Sequence, residues 1–104
     1  MRKEIAHCFV DAIPDEPGEG MLYISIAGAQ AVHRCCCGCG AMVATPLGRG
    51  GWKLEFDGVS VSLRPPIDEW AVACGSHYRI RRNRVQWLTR FSQLTVETGL
   101  YSIR

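Results

Sequence analysis

Residues 33–40 read His-Arg-Cys-Cys-Cys-Gly-Cys-Gly, and this stretch holds four of the six cysteines in a chain of 104 residues. A fifth cysteine, Cys74, stands three positions before His77. Thiolates and imidazoles grouped in two short clips are the usual ligands of a tetrahedral zinc ion. Glycines beside such ligands allow the tight turns that aim them at one point. The pattern therefore predicts a small fold closed around one zinc ion.

The spacing leaves two choices for the first clip. Cys36 with Cys39 has the usual two-residue gap, whereas Cys37 with Cys39 makes a tighter pair. The second clip is Cys74 with His77, which again has a two-residue gap. Either choice predicts one structural site of the Cys₃His type.

The chain carries more potential ligands than one zinc ion requires. Cys35 and His33 remain beside the first clip, and Ser76 lies inside the second. A thiolate beside a cation gains nucleophilicity, so Cys35 with His33 or His77 as base forms an enzymatic hypothesis. Ser76 is a second candidate nucleophile, again with His33 as base. The simpler interpretation is that the spare thiol packs in the core, as we expect for Cys8.

Composition is that of one globular domain, with 47% hydrophobic and 21% charged residues. We expect a cytoplasmic protein with reduced thiols, because three consecutive cysteines would form disulfides only with strain. The first residues lack the features of a signal peptide, and no apolar run reaches the length of a membrane span.

Charge is distributed unevenly along the chain. Six arginines and one glutamate lie from residue 77 onward, giving +5, whereas residues 1–76 carry six basic and nine acidic side chains, giving −3. A basic third could face an acidic partner or nucleic acid. No aromatic stacking motif accompanies the arginines, so we expect a solvated strand pair and do not expect nucleic-acid binding.

Alternation of apolar and polar residues predicts a mainly β fold, a small antiparallel sheet or ribbon-like domain built from hairpins. We expect residues 1–88 to form this zinc-stabilised domain and residues 89–104 to be an extension of undetermined structure. Strands are predicted at 5–13, 21–27, 52–56, 59–63, 70–74, 78–80 and 85–87. Tight turns are predicted at Asp57-Gly58 and Arg82-Asn83, and Pro65-Pro66 is expected to end the first hairpin.

The two clips resemble those of a family of small bacterial proteins of unknown function. In that family the first clip is typically H-x-C-x-C-G-C-G and the second C-x-S-H-[FY], and the similarity covers about residues 22–88. Matched position by position, the family pattern implies that the metal ligands are Cys37, Cys39, Cys74 and His77. The pattern places Cys36 at a variable position and leaves Cys35 as a fifth candidate metal ligand.

Members of that family are often encoded beside ubiquitin-like proteins and E1-like or E2-like enzymes. The resemblance therefore implies a zinc-binding protein-interaction module, an accessory component of a bacterial ubiquitin-like conjugation system. Its partner would be a ubiquitin-like protein or an E1-like or E2-like enzyme. The alternative that the resemblance implies is a small peptidase or deconjugating hydrolase for a ubiquitin-like protein.

Overall fold

The computed structural model describes residues 1–67 and 74–88, and every regular element within these ranges is a β-strand. The strands are β1 (Ala6–Phe9), β2 (Met21–Ser25), β3 (Gln30–Arg34), β4 (Met42–Pro46), β5 (Lys53–Phe56), β6 (Val61–Ile67), β7 (Tyr78–Arg81) and β8 (Arg84–Trp87). They form two four-stranded sheets, ordered β1-β2-β3-β4 and β5-β6-β7-β8. All neighbouring strands are antiparallel except β1 and β2. The mainly β prediction is confirmed.

A single apolar core is formed by the inward-facing residues of both sheets. Alternate positions are buried along β2, β6 and β7, as the period of two along a strand requires. The core comprises Ile5, Leu22, Ile24, Ala31, Cys35, Cys36, Val43, Val61, Leu63, Ile67, Tyr78, Ile80 and Val85. Within the described ranges, no helix is long and apolar enough to cross a membrane.

The N-terminal segment runs along the second sheet and links it to the first. The Val85 amide donates to the Lys3 carbonyl at 2.9 Å, and the Trp87 indole donates to the Arg2 carbonyl at 2.8 Å. These bonds pair residues that stand more than 80 positions apart in the chain. The first bond satisfies a backbone group at the edge of β8, and the second anchors the side chain of Trp87 to the N-terminal segment.

The first predicted hairpin is confirmed, but its turn is longer than expected. Phe56 pairs with Val61, so residues 57–60 form the loop in place of Asp57-Gly58 alone. The Asp57 carboxylate accepts bonds from the Val59 and Ser60 amides at 2.9 and 2.6 Å and thereby holds the four-residue loop.

Two other strand predictions were wrong in extent. β6 continues through Pro65-Pro66 to Ile67, because its register with β7 shifts between Leu63 and Ile67 and the prolines need not donate ladder bonds there. β1 is shorter than the predicted strand at 5–13. The strand predicted at 70–74 lies, except for Cys74, outside the described residues, as does the extension at 89–104.

The second predicted hairpin is confirmed, and its turn has the expected length. Arg82 and Asn83 connect β7 to β8 with φ angles of 51° and 64°. Positive φ at both central residues matches the right-handed twist of the flanking strands. The Asn83 side chain also accepts from the Val61 amide at 2.8 Å and donates to the Ile5 carbonyl at 2.6 Å.

Candidate metal centre and adjacent serine

The first cysteine clip is the loop between β3 and β4. The Cys35 amide donates to the Ala41 carbonyl at 2.8 Å, and the Gly38 amide donates to the Cys35 carbonyl at 3.1 Å. Gly38 and Gly40 have φ angles of 91° and 85°, a region that other residues rarely adopt. The two glycines therefore let the chain reverse sharply between successive thiols.

The second clip lies in the segment just before β7. Cys74 is exposed and is followed by Gly75, whose φ of 77° turns the chain toward the first clip. The sulfur of Cys74 lies 3.6 Å from the sulfurs of both Cys35 and Cys37, which are 3.5 Å from each other. With Cys39 included, the four sulfur atoms all lie within 4.8 Å of one another.

This spacing fits a tetrahedral metal site. Sulfur atoms about 2.3 Å from a central zinc ion lie about 3.8 Å apart, close to the separations found here. Four thiols from two segments far apart in sequence thus converge on one point. The group could hold a metal ion with four protein ligands.

The composition of the group differs from the predicted ligand set at one position. Cys37, Cys39 and Cys74 are brought together as expected, but the fourth member is Cys35. His77 lies outside the group of sulfurs. The sequence leaves Cys35 as a fifth candidate ligand, and the family resemblance with the two-residue gap after Cys74 favours His77, because local spacing cannot show which thiols the fold brings together.

Cys36 lies in the turn after β3 but outside the sulfur group that its neighbours join. Its side chain is buried in the core, and burial raises the pKa of its thiol to about 11. The Cys36 amide donates to the Tyr78 hydroxyl at 3.3 Å. Cys36 therefore packs as an apolar residue while the cysteines on both sides join the sulfur group.

Ser76 lies at the rim of the sulfur group. Its hydroxyl is 3.1 Å from the sulfur of Cys74, and its side chain is half-buried. Hydrogen bonding from Ser76 lowers the pKa of Cys74 and, with a smaller contribution from Cys39, lowers the pKa of Cys37 to about 6. Burial has the opposite effect on Cys35 and raises the pKa of that thiol.

His33 is a fully buried residue of β3. Its Nε2 atom lies 2.8 Å from the Tyr78 hydroxyl, and its Nδ1 atom has no hydrogen-bond partner among the described residues. Burial lowers the pKa of His33 to about 4, because the charged imidazolium would lose its hydration. His33 therefore remains neutral near pH 7, and it is a weak base.

His77 follows Ser76 directly and precedes β7. Its Nε2 atom is buried and has no partner within the described part of the chain. Since residues 75–77 are not part of a strand, the alternation that would point neighbouring side chains to opposite faces does not apply to Ser76 and His77. No hydrogen bond joins the Ser76 hydroxyl to either His33 or His77, all three of which are described.

Comparison with known proteins gives one result. A family model described as "Bacterial ubiquitination-like system serine protease (BubE)" matches residues 9–88, a range that includes both cysteine clips and Ser76. No curated protein and no solved structure matches the chain. The family model covers most of the sequence and all strands except the first three residues of β1. The chain therefore belongs to the BubE family of the bacterial ubiquitination-like system.

Proposed function

We propose that this chain is a serine peptidase that acts on a ubiquitin-like protein, with Ser76 as its nucleophile and a structural zinc ion beside it. The observation that carries the proposal is the position of the Ser76 hydroxyl, half-buried and 3.1 Å from Cys74 Sγ at the rim of the sulfur group. The family description, which names a serine protease, supports the same activity.

The zinc assignment follows from the chemistry of the four ligands. Soft thiolates favour zinc over magnesium or calcium, and tetrahedral sites with four sulfurs are mostly structural. Cys35, Cys37, Cys39 and Cys74 would fill all four positions, leaving none for a reactive water. Bound zinc would therefore tie the β3–β4 loop to the segment before β7, and fix the backbone that carries Ser76.

The other described serines already have structural partners. Ser25 Oγ accepts from the Gly28 amide at 3.0 Å, and Ser60 Oγ donates to the Asp57 carboxylate at 2.8 Å. Ser62 Oγ accepts from the Arg82 amide at 2.9 Å. Ser76 is set apart from these three because its nearest partner is a sulfur of the candidate metal centre.

The enzymatic hypothesis that uses Cys35 and His33 has less support. Cys35 is fully buried, and as one of the four zinc ligands it would not be free to attack a substrate. The lowered pKa of His33 and its contact with Tyr78 make it a weak base. We therefore assign the base to His77, whose Nε2 atom is buried without a partner in the described ranges.

In the proposed reaction, Ser76 Oγ adds to the carbonyl carbon of the scissile amide while its proton passes to His77. The carbon–nitrogen bond then breaks, and the departing amine takes that proton. Water hydrolyses the resulting ester by the same route in reverse and regenerates the serine. The proposal requires substrate binding to bring the two side chains together, as often happens between free and substrate-bound enzymes.

The test uses the full zinc-loaded chain and two readouts. A fluorophosphonate probe should form one adduct on Ser76, found by mass spectrometry, and the chain should cleave a ubiquitin-like protein fused at its C-terminus to a reporter. Ser76→Ala should abolish both results, whereas Ser62→Ala, the matched control, should retain them. Full cleavage by Ser76→Ala would overturn the proposal.

The histidines are distinguished by substitution with glutamine. Loss of a general base typically lowers the rate by about 10²- to 10⁴-fold, so we expect His77→Gln to lower the cleavage rate by a factor in that range. His33→Gln should have a smaller effect on the rate measured with folded protein. If the order is reversed, the base is His33 and the assignment to His77 is wrong.

A second candidate function is a zinc-binding interaction module without catalysis. It is favoured by one observation, that no imidazole hydrogen-bonds to the Ser76 hydroxyl within the described residues. In that case Ser76→Ala would leave partner binding unchanged, and removal of the metal would abolish it. The probe experiment separates the two candidates directly.

A further inference from the structure

The outward face of the second sheet is strongly basic. Strand pairing arranges eight outward-facing side chains in two rows across the sheet. One row is formed by the pairs Lys53–Arg64 and Arg79–Gln86. The next row is formed by the pairs Glu55–Ser62 and Arg81–Arg84. The pairing of Leu63 with Ile80 brings the two halves of each row together across β6 and β7. The eight positions carry five basic side chains and one acidic one.

These side chains are on the surface. Six of the eight are exposed, and Ser62 and Arg79 are half-buried. Exposure of this kind is expected because the opposite face of the same strands packs into the core. The basic face is therefore available for contact.

A groove of about 340 Å³ crosses this face. Its charged lining consists of Arg64, Arg79, Arg81 and Glu55, and Pro65-Pro66 forms part of its wall. Arg64 donates to Glu55 at 2.6 Å, and Arg79 donates to the Gln86 side-chain oxygen at 2.6 Å. These two contacts hold the arginine side chains extended across the sheet with donors left over for a ligand.

We propose that this face binds an acidic polypeptide segment, which lies along the groove and pairs its carboxylates with the arginines. Guanidinium groups bind carboxylates with two parallel hydrogen bonds, and the excess of basic groups provides the complementary charge. None of the eight residues on the face is aromatic, so it lacks the stacking platform with which proteins usually hold single-stranded nucleic acid.

The position of the face connects it to Ser76. Arg79 follows Ser76 by three residues, and three extended residues span at most about 11 Å. A segment bound in the groove would thus lie within a short distance of the proposed nucleophile. Assigning the bound segment to a peptidase substrate rests on the proposed function, whereas the binding itself does not.

The experiment measures binding of fluorescein-labelled octaglutamate to the full, zinc-loaded chain by fluorescence anisotropy. Each exposed ion pair contributes little to binding free energy, so the double variant Arg79→Gln/Arg81→Gln should bind the peptide roughly 2- to 20-fold more weakly. Arg49→Gln is the control, because Arg49 is exposed in the β4–β5 loop and its removal also lowers the charge. Arg81→Gln should therefore weaken binding more than Arg49→Gln does.

Each outcome decides the proposal. Binding of octaglutamate that weakens with added salt and depends on Arg79 and Arg81 supports it. No binding, or equal losses from Arg81→Gln and Arg49→Gln, overturns it. Tighter arginine-dependent binding of a single-stranded oligonucleotide of equal charge would also overturn it, in favour of nucleic acid.

Repeating the titration with Ser76→Ala separates this proposal from the peptidase proposal. Arginine-dependent binding by that variant would support the basic face even if the wild-type chain cleaves nothing. Loss of binding in the arginine variants with no peptidase activity in any variant would refute only the function assigned to Ser76.

Discussion

His33 Nε2 lies 2.8 Å from the hydroxyl of Tyr78, and this buried contact joins β3 of the first sheet to β7 of the second. The same hydroxyl accepts from the Cys36 amide at 3.3 Å, between two cysteines of the sulfur group. Tyr78 also packs on Trp87, with ring centroids 4.9 Å apart. One phenol thus stabilises the core and the backbone of the candidate metal centre together.

Removing that hydroxyl should destabilise the protein measurably. Tyr78→Phe leaves His33 Nε2 and the Cys36 amide without a partner, and an unsatisfied buried polar group costs about 1–3 kcal/mol. We expect the free energy of unfolding in urea to fall by that amount. Tyr23→Phe, which removes the hydroxyl bonded to the Gly18 amide at 3.0 Å, is the control and should cost less because that bond is exposed. Equal losses would contradict a special role for Tyr78.

Metal content should depend on the four cysteines of the sulfur group. Cys39→Ser changes an exposed side chain, so it should weaken zinc binding without disturbing the core. Removing a residue that only hydrogen-bonds to a metal ligand lowers metal affinity by roughly 10- to 100-fold. Cys39→Ser removes a ligand itself, so we expect zinc affinity to fall by more than that. Native mass spectrometry in the presence of a competing chelator measures it.

Two control variants test the choice of ligands. Cys8→Ser should retain one zinc ion, because Cys8 lies on β1 away from the group. His77→Gln should also retain it if Cys35 is the fourth ligand. Loss of zinc in His77→Gln with retention in Cys35→Ser would restore the ligand set expected from sequence.

The carboxyl group of Asp57 should titrate well below its usual range. Bonds from the Ser60 and Val59 amides and from the Ser60 hydroxyl lower its pKa from 3.8 to about 2. Because the folded-state pKa is the lower one, its stabilising effect is complete above pH 3.8 and is lost as pH falls through 2. Carbon-detected NMR titration measures the pKa directly. In Ser60→Ala, which removes one of the three donors, the pKa should move toward 3.8, and an unchanged value would contradict the assignment.

The turn between β7 and β8 offers a pair of matched variants. Asn83→Gly keeps a residue suited to positive φ but removes the side-chain bonds to Val61 and Ile5, at an expected cost of about 1–3 kcal/mol. Arg82→Gly removes no such bond and relieves the strain of a left-handed backbone at a residue with a side chain. Its free energy of unfolding should therefore be unchanged or rise by up to about 1 kcal/mol. Thermal or urea unfolding of both variants compares them. Similar losses would show that the side-chain bonds of Asn83 to Val61 and Ile5 do not stabilise the protein.

Local features of the sequence predicted much of the secondary structure. Alternation located β2, β5, β7 and β8 within a few residues, and Arg82-Asn83 specified its own turn. The loop after Phe56 was predicted two residues too short, because the Asp57 side chain bonds the amides of Val59 and Ser60 and stabilises a longer turn. The parallel pairing of β1 with β2 was not predicted, since it depends on where a connecting loop returns the chain.

Local signals in the sequence predict a mainly β chain whose cysteines are suited to a metal ion, because turn chemistry, alternation and thiol spacing act between near neighbours. Tertiary structure sets the grouping of Cys35 with Cys37, Cys39 and Cys74, since the β3–β4 loop must meet the segment before β7 for the sulfurs to converge. It also decided that the arginines of β6, β7 and β8 share one face, because strand register sets which side chains are neighbours.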